Sequence, residues 1–351
     1  MNKFFLILAL FSSITDLQAM SQLEQATKRL LNGINPVKRP VLHKLSKEFF
    51  VENRKTSTVE RVNERTLYVH DERIKEQEKS FDKRNNTEFA LFKKNKDGKT
   101  IDRRSVISDH LEQPYRPIAF LRIIYNITQR DSLVFKGTGF RNGLNQIVTA
   151  GHNLTLTEEF IKEECDLKKI LLSDYKFNKK RLTIDTFFGF KEDEVGEYLY
   201  TFISRVNGIK SFTHEYRDFG VLSLPTDKSS FLDENIGALG FKFLSDQPHE
   251  YTSDEVRIAG YPGEIKPIAM HSHKGPIRNI DDQGIVYYDV DTSAGNSGSP
   301  GFLELKKDQD SNVENFPVCL VHTHRYRAQE LNAGEKIDED LVQFMQDHAF
   351  S

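Results

Sequence analysis

The stretch GTGFRNGLNQIVTAGHNL, Gly137 to Leu154, sets short apolar runs around a polar turn and ends on a Gly-His pair. Short runs rich in β-branched and aromatic residues, separated by Gly, Asn and Pro, read as strands joined by turns. The same rhythm continues on both sides, in PIAFLRIIY and SLVFKGTGF, then in LTIDTFFGF, YLYTFISRV, FGVLSL, VRIAGY, GIVYYDV and FPVCLVHTH. About a dozen such segments with few long helical patterns indicate an all-β sandwich or a pair of barrels. Two stretches depart from it. Residues from Leu156 to about Leu172 read as a helix or a surface excursion. The tail DEDLVQFMQDHAF places Leu341, Phe344 and Met345 on one face, predicting a C-terminal helix that closes the domain.

A chain of 351 residues, 38% hydrophobic, is enough for one large domain or two ordinary ones plus an extension. Its formal net charge of -3 points to neither a nucleic-acid partner nor a strongly anionic surface. The sum hides an asymmetry: residues 20–104 carry 21 Lys+Arg against 13 Asp+Glu, whereas residues 105–351 carry 27 against 38. A basic leader thus precedes an acidic body, either as a solvated arm or as a pro-segment that docks on the body and is later removed. Within it, SQLEQATKRLLNG predicts one short amphipathic helix ending near Gly33.

Residues 1–19, MNKFFLILALFSSITDLQA, combine an early lysine, an apolar run from Phe4 to Phe11 and a small residue at Ala19. This is the pattern of a secretory signal peptide, too short for a membrane span. The mature protein is expected to be secreted, extracellular or periplasmic, with no membrane span. Two cysteines, Cys165 and Cys319, leave stability to the core, and the apolar setting FPVCLVH marks Cys319 as a buried thiol. Asn85, Asn126 and Asn153 stand in glycosylation sequons, relevant in a eukaryotic secretory pathway.

Three residues form a candidate constellation. His152 follows the apolar run QIVTA, so a strand end presents its imidazole, as a general base requires. Asp218, in HEYRDFGVLSL, precedes another apolar strand and is placed to orient that imidazole. Ser297 sits between two glycines in DTSAGNSGSPGF, Asp291 to Phe302, a turn that suits an exposed nucleophile. Singly each is an ordinary loop, strand-end or cap residue; their order, His then Asp then Ser in an all-β body, is what carries the inference.

TAGH, RDFGVLSL and GNSGSP in this order resemble the trypsin/chymotrypsin clan of serine endopeptidases, and most closely its secreted glutamyl endopeptidase branch, which also shows GYPG, here Gly260 to Gly263. The resemblance covers about Ser105 to the end. It implies a double six-stranded β-barrel with a C-terminal helix, residues 105–351, preceded by a signal peptide (1–19) and a charged pro-segment (20–104). His152 and Asp218 would come from the first barrel and Ser297 from the second, with the amides of Gly295 and Ser297 as oxyanion hole. Arg103 and Arg104 precede SVI, similar to the mature start of several branch members, which predicts maturation between Arg104 and Ser105. In that branch the new amino terminus helps complete the substrate pocket. Protein or peptide substrates and the chain's own pro-segment are the implied partners, with no cofactor.

The primary pocket carries two opposed signals. Thr292 and His322 match the threonine and histidine that hold a substrate carboxylate in glutamyl endopeptidases. Asp291, six residues before Ser297, stands where trypsin-like enzymes hold a substrate Arg or Lys. A buried carboxylate facing a carboxylate substrate costs several kcal/mol unless it is protonated or turned away. The acidic reading is preferred, because His322 has little purpose in a trypsin pocket. Two histidine pairs, His271 with His273 and His322 with His324, have strand spacing suited to zinc, but no Cys, Asp or Glu cluster accompanies them, and no metal is expected. Rival readings are a catalytically silent barrel pair, which would normally lack a triad residue, and an esterase, for which the GxSxG elbow is missing.

Overall fold

The computed structural model describes residues 22, 24–45, 93–94, 100–128, 132–155, 158–167, 178–193, 197–244, 255–303, 317–326 and 331–349. The expected signal peptide and the Asn85 sequon lie outside them. A helix spans 24–32 and ends at Gly33, whose φ is +67° and whose amide donates to Arg29 O at 3.0 Å. The leader then contributes β1 (His43–Leu45), and β2 (Lys93–Lys94) pairs with β3 (Thr100–Ile101).

The body opens with β4 (Ser105–Val106), followed by β5 (Ile118–Asn126), β6 (Ser132–Arg141), β7 (Gln146–Thr149) and β8 (Leu182–Phe188). Next come β9 (Lys191–Glu192), β10 (Tyr198–Tyr200), β11 (Phe202–Asn207), β12 (Ser211–Thr213) and β13 (Gly220–Ser223). The second half holds β14 (Glu255–Gly260), β15 (His271–Ile280), β16 (Ile285–Tyr288), β17 (Pro300–Leu303), β18 (Val318–Tyr326) and β19 (Leu331–Lys336).

Two antiparallel sheets result. The second runs β14-β17-β18-β19-β16-β15, and β15 pairs back onto β14, closing a six-stranded barrel to which β4 adds along β15. The first runs β11-β8-β5-β6-β7-β13-β12, seven strands curled as a half-barrel whose outer strands are not paired with each other among the described residues. The fold class is therefore the double-barrel one expected, with the first barrel open where a closed six-stranded one was anticipated.

Alternation along β5 divides its side chains between two cores. Ala119, Leu121, Ile123 and Tyr125 fill the first barrel, while Ile118 and Phe120 face the seam between the barrels. At that seam Phe120 stacks on Phe190 with centroids 4.7 Å apart and meets Phe187 and Tyr261. The C-terminal helix Glu339–Asp347, capped by Asp338 accepting from Leu341 N, buries Leu341 and Met345 in the same seam as expected. The uncertain stretch after Leu156 includes a helix, Glu158–Leu167, that buries Ile161 and Cys165 against the first barrel. Cys165 and Cys319 lie as buried thiols in different cores, so the chain gains no cross-link from them. Among the described residues no helix is long and apolar enough to cross a membrane.

Phe120→Ala is expected to cost about 3–5 kcal/mol by opening a cavity where both barrels and the aromatic stack meet. Urea unfolding checks this; a loss under about 1 kcal/mol would mean that the seam is not a stability determinant.

Candidate active site

β7 and β13 are antiparallel, with Gly220 opposite Thr149. That register carries Asp218, two residues before Gly220, beside His152, which stands in the turn Gly151–Asn153 beyond the end of β7. His152 Nδ1 is 2.7 Å from Asp218 Oδ2, and the His152 amide donates to Asp218 Oδ1 at 2.8 Å. Burial alone would push the Asp218 carboxyl up. Its attraction to His152 and these two hydrogen bonds outweigh burial and hold it below the ordinary carboxylate value. An ionised Asp218 fixes the proton on Nδ1 and leaves Nε2 as the ring's acceptor.

Ser297 lies in the loop between β16 and β17, and its carbonyl is bound from the first sheet. Thr138 N donates to Ser297 O at 3.0 Å and Asn153 Nδ2 at 2.9 Å, while Thr138 Oγ1 donates to Gly295 O at 2.7 Å. The serine loop of one barrel is thereby tied to β6 and to the turn that carries His152 in the other. Ser297 Oγ donates to Thr323 O across 3.5 Å, the outer limit of a hydrogen bond. Gly295 has φ +93°, and a Cβ there would stand 2.5 Å from Tyr261 O. Only glycine meets both conditions, and the GYPG turn lies against the GNSG turn, with Gly263 N donating to Ala294 O at 2.6 Å. Among the described residues neither the Gly295 amide nor the Ser297 amide donates to a protein acceptor.

Sequence reasoning missed Thr138 and Asn153. Asn153 is buried and bonded to both Thr149 Oγ1 and Ser297 O, so its sequon is not a surface acceptor. It also missed Glu335 and Arg217. Glu335 Oε1 accepts from Asp218 N at 3.0 Å, and Oε2 accepts from Arg217 Nε at 2.9 Å. Arg217 reaches on to Asp338, the cap of the C-terminal helix. Burial pushes Glu335 up to about 7 against the attraction of Arg217, with the nearby Asp218 carboxylate adding to the rise. A strand of the second barrel thus anchors the loop that presents Asp218.

The pocket residues separate. Thr292 and His322 are buried, and His322 is paired through its backbone with Gly298 N and Ser299 O, next to Ser297. Its Nδ1 is 2.6 Å from Tyr288 Oη and 3.2 Å from Ala333 O. Burial, with a smaller contribution from His324, lowers His322 to about 3, so its ring is neutral. Asp291 is paired with Arg103, whose amide donates to Oδ2 at 2.8 Å and whose Nη2 lies 2.5 Å from Oδ1. Arg103 also reaches Asp289 at 3.0 Å. Arg104 is sheathed beside it, with Nη2 2.7 Å from Glu264, Nη1 2.6 Å from Ser293 Oγ and a further pair to Asp102. Ser105 pairs with Ser272 along β15, so the expected maturation point sits in a ladder and not in an open linker.

The histidine pairs do not make ligand sets. The register of β18 shifts between His322 and His324, and their Nδ1 atoms have different partners, Tyr288 and Thr323. His271 Nδ1 faces Ala269 O, while His273 Nδ1 accepts from Asp291 N. Among the described residues no group of three or more His, Cys, Asp or Glu converges as for a metal ion.

No protein-family model and no curated protein matches the chain. Solved structures do. A Glu endopeptidase in complex with MPD is 17% identical, with TM-score 0.49 over 72% of this chain and 98% of that one. A serine endoprotease from Yersinia pestis is 13% identical, with TM-score 0.38 over 67% and 63%. Deg5 is 13% identical, with TM-score 0.41 over 66% and 90%. At such identities only the fold is in question, so the chemistry has to be read from this chain's own side chains.

His322 is protonated below about 6.5 in the unfolded chain but only near 3 in the folded one, so its contribution to stability is full above 6.5 and is lost as pH falls toward 3. Wild type is therefore expected to lose roughly 2–3 kcal/mol more than His322→Gln between pH 6.5 and 4.5, by urea midpoints at each pH. Parallel losses in both proteins would contradict a neutral buried His322.

Proposed function

We propose that the chain is a secreted serine endopeptidase that cuts after Glu or Asp, using His152, Asp218 and Ser297. The observation that carries the reading is the buried His152–Asp218 pair, with the Ser297 loop tied through its carbonyl to the same turn. Ser297 Oγ attacks the peptide carbonyl carbon as its proton passes to His152 Nε2, and Asp218 stabilises the imidazolium. The C–N bond then breaks, and His152 gives that proton to the leaving amine. Water repeats the sequence on the acyl-enzyme, releasing the carboxyl product and restoring Ser297. The Gly295 and Ser297 amides donate to the oxyanion formed at each attack.

Specificity rests on Thr292 and His322. The reading requires the Nε2–H tautomer of the neutral His322 ring, in which Tyr288 Oη gives its proton to Nδ1 instead of to Ala333 O and Nε2 becomes a donor for a substrate carboxylate. Discrimination then comes from a hydrogen bond that Lys or Arg cannot accept. Arg103 occupies the carboxylate of Asp291 in the uncut chain only, so the preference for the acidic reading rests on His322. Signal removal after residue 19 and maturation between Arg104 and Ser105 complete the proposal. The second step first has to free Arg104 from Glu264 and Ser293 and peel Ser105 from β15.

The test is mass spectrometry of the cuts made in a denatured protein mixture by the wild type and by Ser297→Ala. Cuts after Glu and Asp, absent from the variant, are expected, and His322→Ala should lower kcat/KM on a Glu substrate about 100-fold. Cuts after Arg or Lys would overturn the specificity, and an identical cut pattern from Ser297→Ala would overturn the mechanism.

A further inference from the structure

The leader was expected to be a removable pro-segment, yet residues 24–45 are built into the body. Leu30 has 0% exposure and belongs to the seam core that includes Phe140, Phe241 and Met345. Its carbonyl accepts from Phe241 N at 3.0 Å, and Ile34 exchanges both backbone hydrogen bonds with Ala238, at 2.8 and 2.7 Å. Beyond them β1 extends β10 in register, His43 opposite Tyr200. Arg29 donates to Gly143 O at 2.8 Å and to Asp233 at 2.9 Å. Asp233 in turn holds the fully buried Arg141 at 2.6 Å, so one carboxylate serves a leader cation and a core cation together.

The body is shaped for this segment. A Cβ on Gly143 would stand 2.3 Å from Arg29 O, on Gly237 2.4 Å from Ile34 O, and on Gly240 2.5 Å from Leu31 O. Three body glycines therefore admit the leader backbone where any other residue would collide with it. These contacts fall on the β6–β7 turn and on the connection between the two barrels. His152, Asp218 and Ser297 take no part in them. A plug covering the cleft would have to touch those three.

We propose that residues 24–45 are a permanent clasp on the first half of the body and the connection to the second barrel, retained non-covalently when the chain is cut between 45 and 105, so that the processed protein is a two-chain molecule. The occupant of this surface is the chain's own leader, basic against an acidic body. Burial of Leu30, paired backbones and the shared Asp233 hold it, and covalent continuity is not needed.

The experiment places a site-specific protease sequence between residues 46 and 92 of the full chain, cuts there, and passes the product through native size exclusion with mass spectrometry of each peak. The fragment bearing residues 24–45 is expected to co-elute one-to-one with the body, and the thermal midpoint of the cut protein to become concentration-dependent. Leu30→Asp should release the fragment. If that variant does not fold uncut, Arg29→Ala, which removes only surface-side bonds, should still shorten retention measurably. Separation of the wild-type fragment from a body that keeps its near-ultraviolet circular dichroism would overturn the proposal. None of these readouts uses catalysis, so they stand or fall apart from the endopeptidase reading.

Discussion

Two amide groups, Thr138 N and Asn153 Nδ2, converge on the carbonyl oxygen of Ser297. They come from the first sheet, the oxygen from the second barrel, and both sides are buried. A buried carbonyl left without a donor costs about 1–3 kcal/mol, so the two halves are locked into one mutual arrangement at this point. The separation of the serine loop from the His152 turn is thus set by hydrogen bonds inside the seam. The aromatic stack around Phe120 supplies the non-directional half of that constraint, and the Ser297 contact the directional half.

Electrostatics follow the same division. Asp218 receives the His152 ring and amide on its carboxylate, while its own amide is held by Glu335 from the opposite barrel. Arg217 ties Glu335 to the cap of the C-terminal helix, so the expected closing helix also braces the loop that orients the imidazole. On the other flank Arg103 and Arg104 neutralise Asp289, Asp291 and Glu264 around the residues that precede the serine. The carboxylate that suggested a basic pocket has a structural employer in the uncut chain.

The three chemical motifs were legible because each pairs a strand end with a residue whose spacing does not depend on distant chain. QIVTAGH and RDFG meet at the same end of one antiparallel pair, and local pattern suffices to find them. The β15 strand was not legible: HSHKGPIRNI is mostly polar, and its strand character comes from pairing with β14 and β16. Thr138, Asn153 and Glu335 were invisible for a related reason, since each acts across the seam on a residue 117 to 159 positions away. Asn153 even carried a misleading local signal, a sequon, which only burial removes. The leader followed the same rule: its helix was readable from periodicity, but the body glycines that receive it acquire meaning only in contact.

The central claim is that Ser297 is a nucleophile activated by His152. Incubation with a fluorophosphonate, followed by intact-mass measurement and peptide mapping, tests it directly. A single adduct per chain is expected, on Ser297, formed at least about 100-fold more slowly in His152→Ala. An unmodified Ser297, or labelling at the same rate without His152, would contradict it.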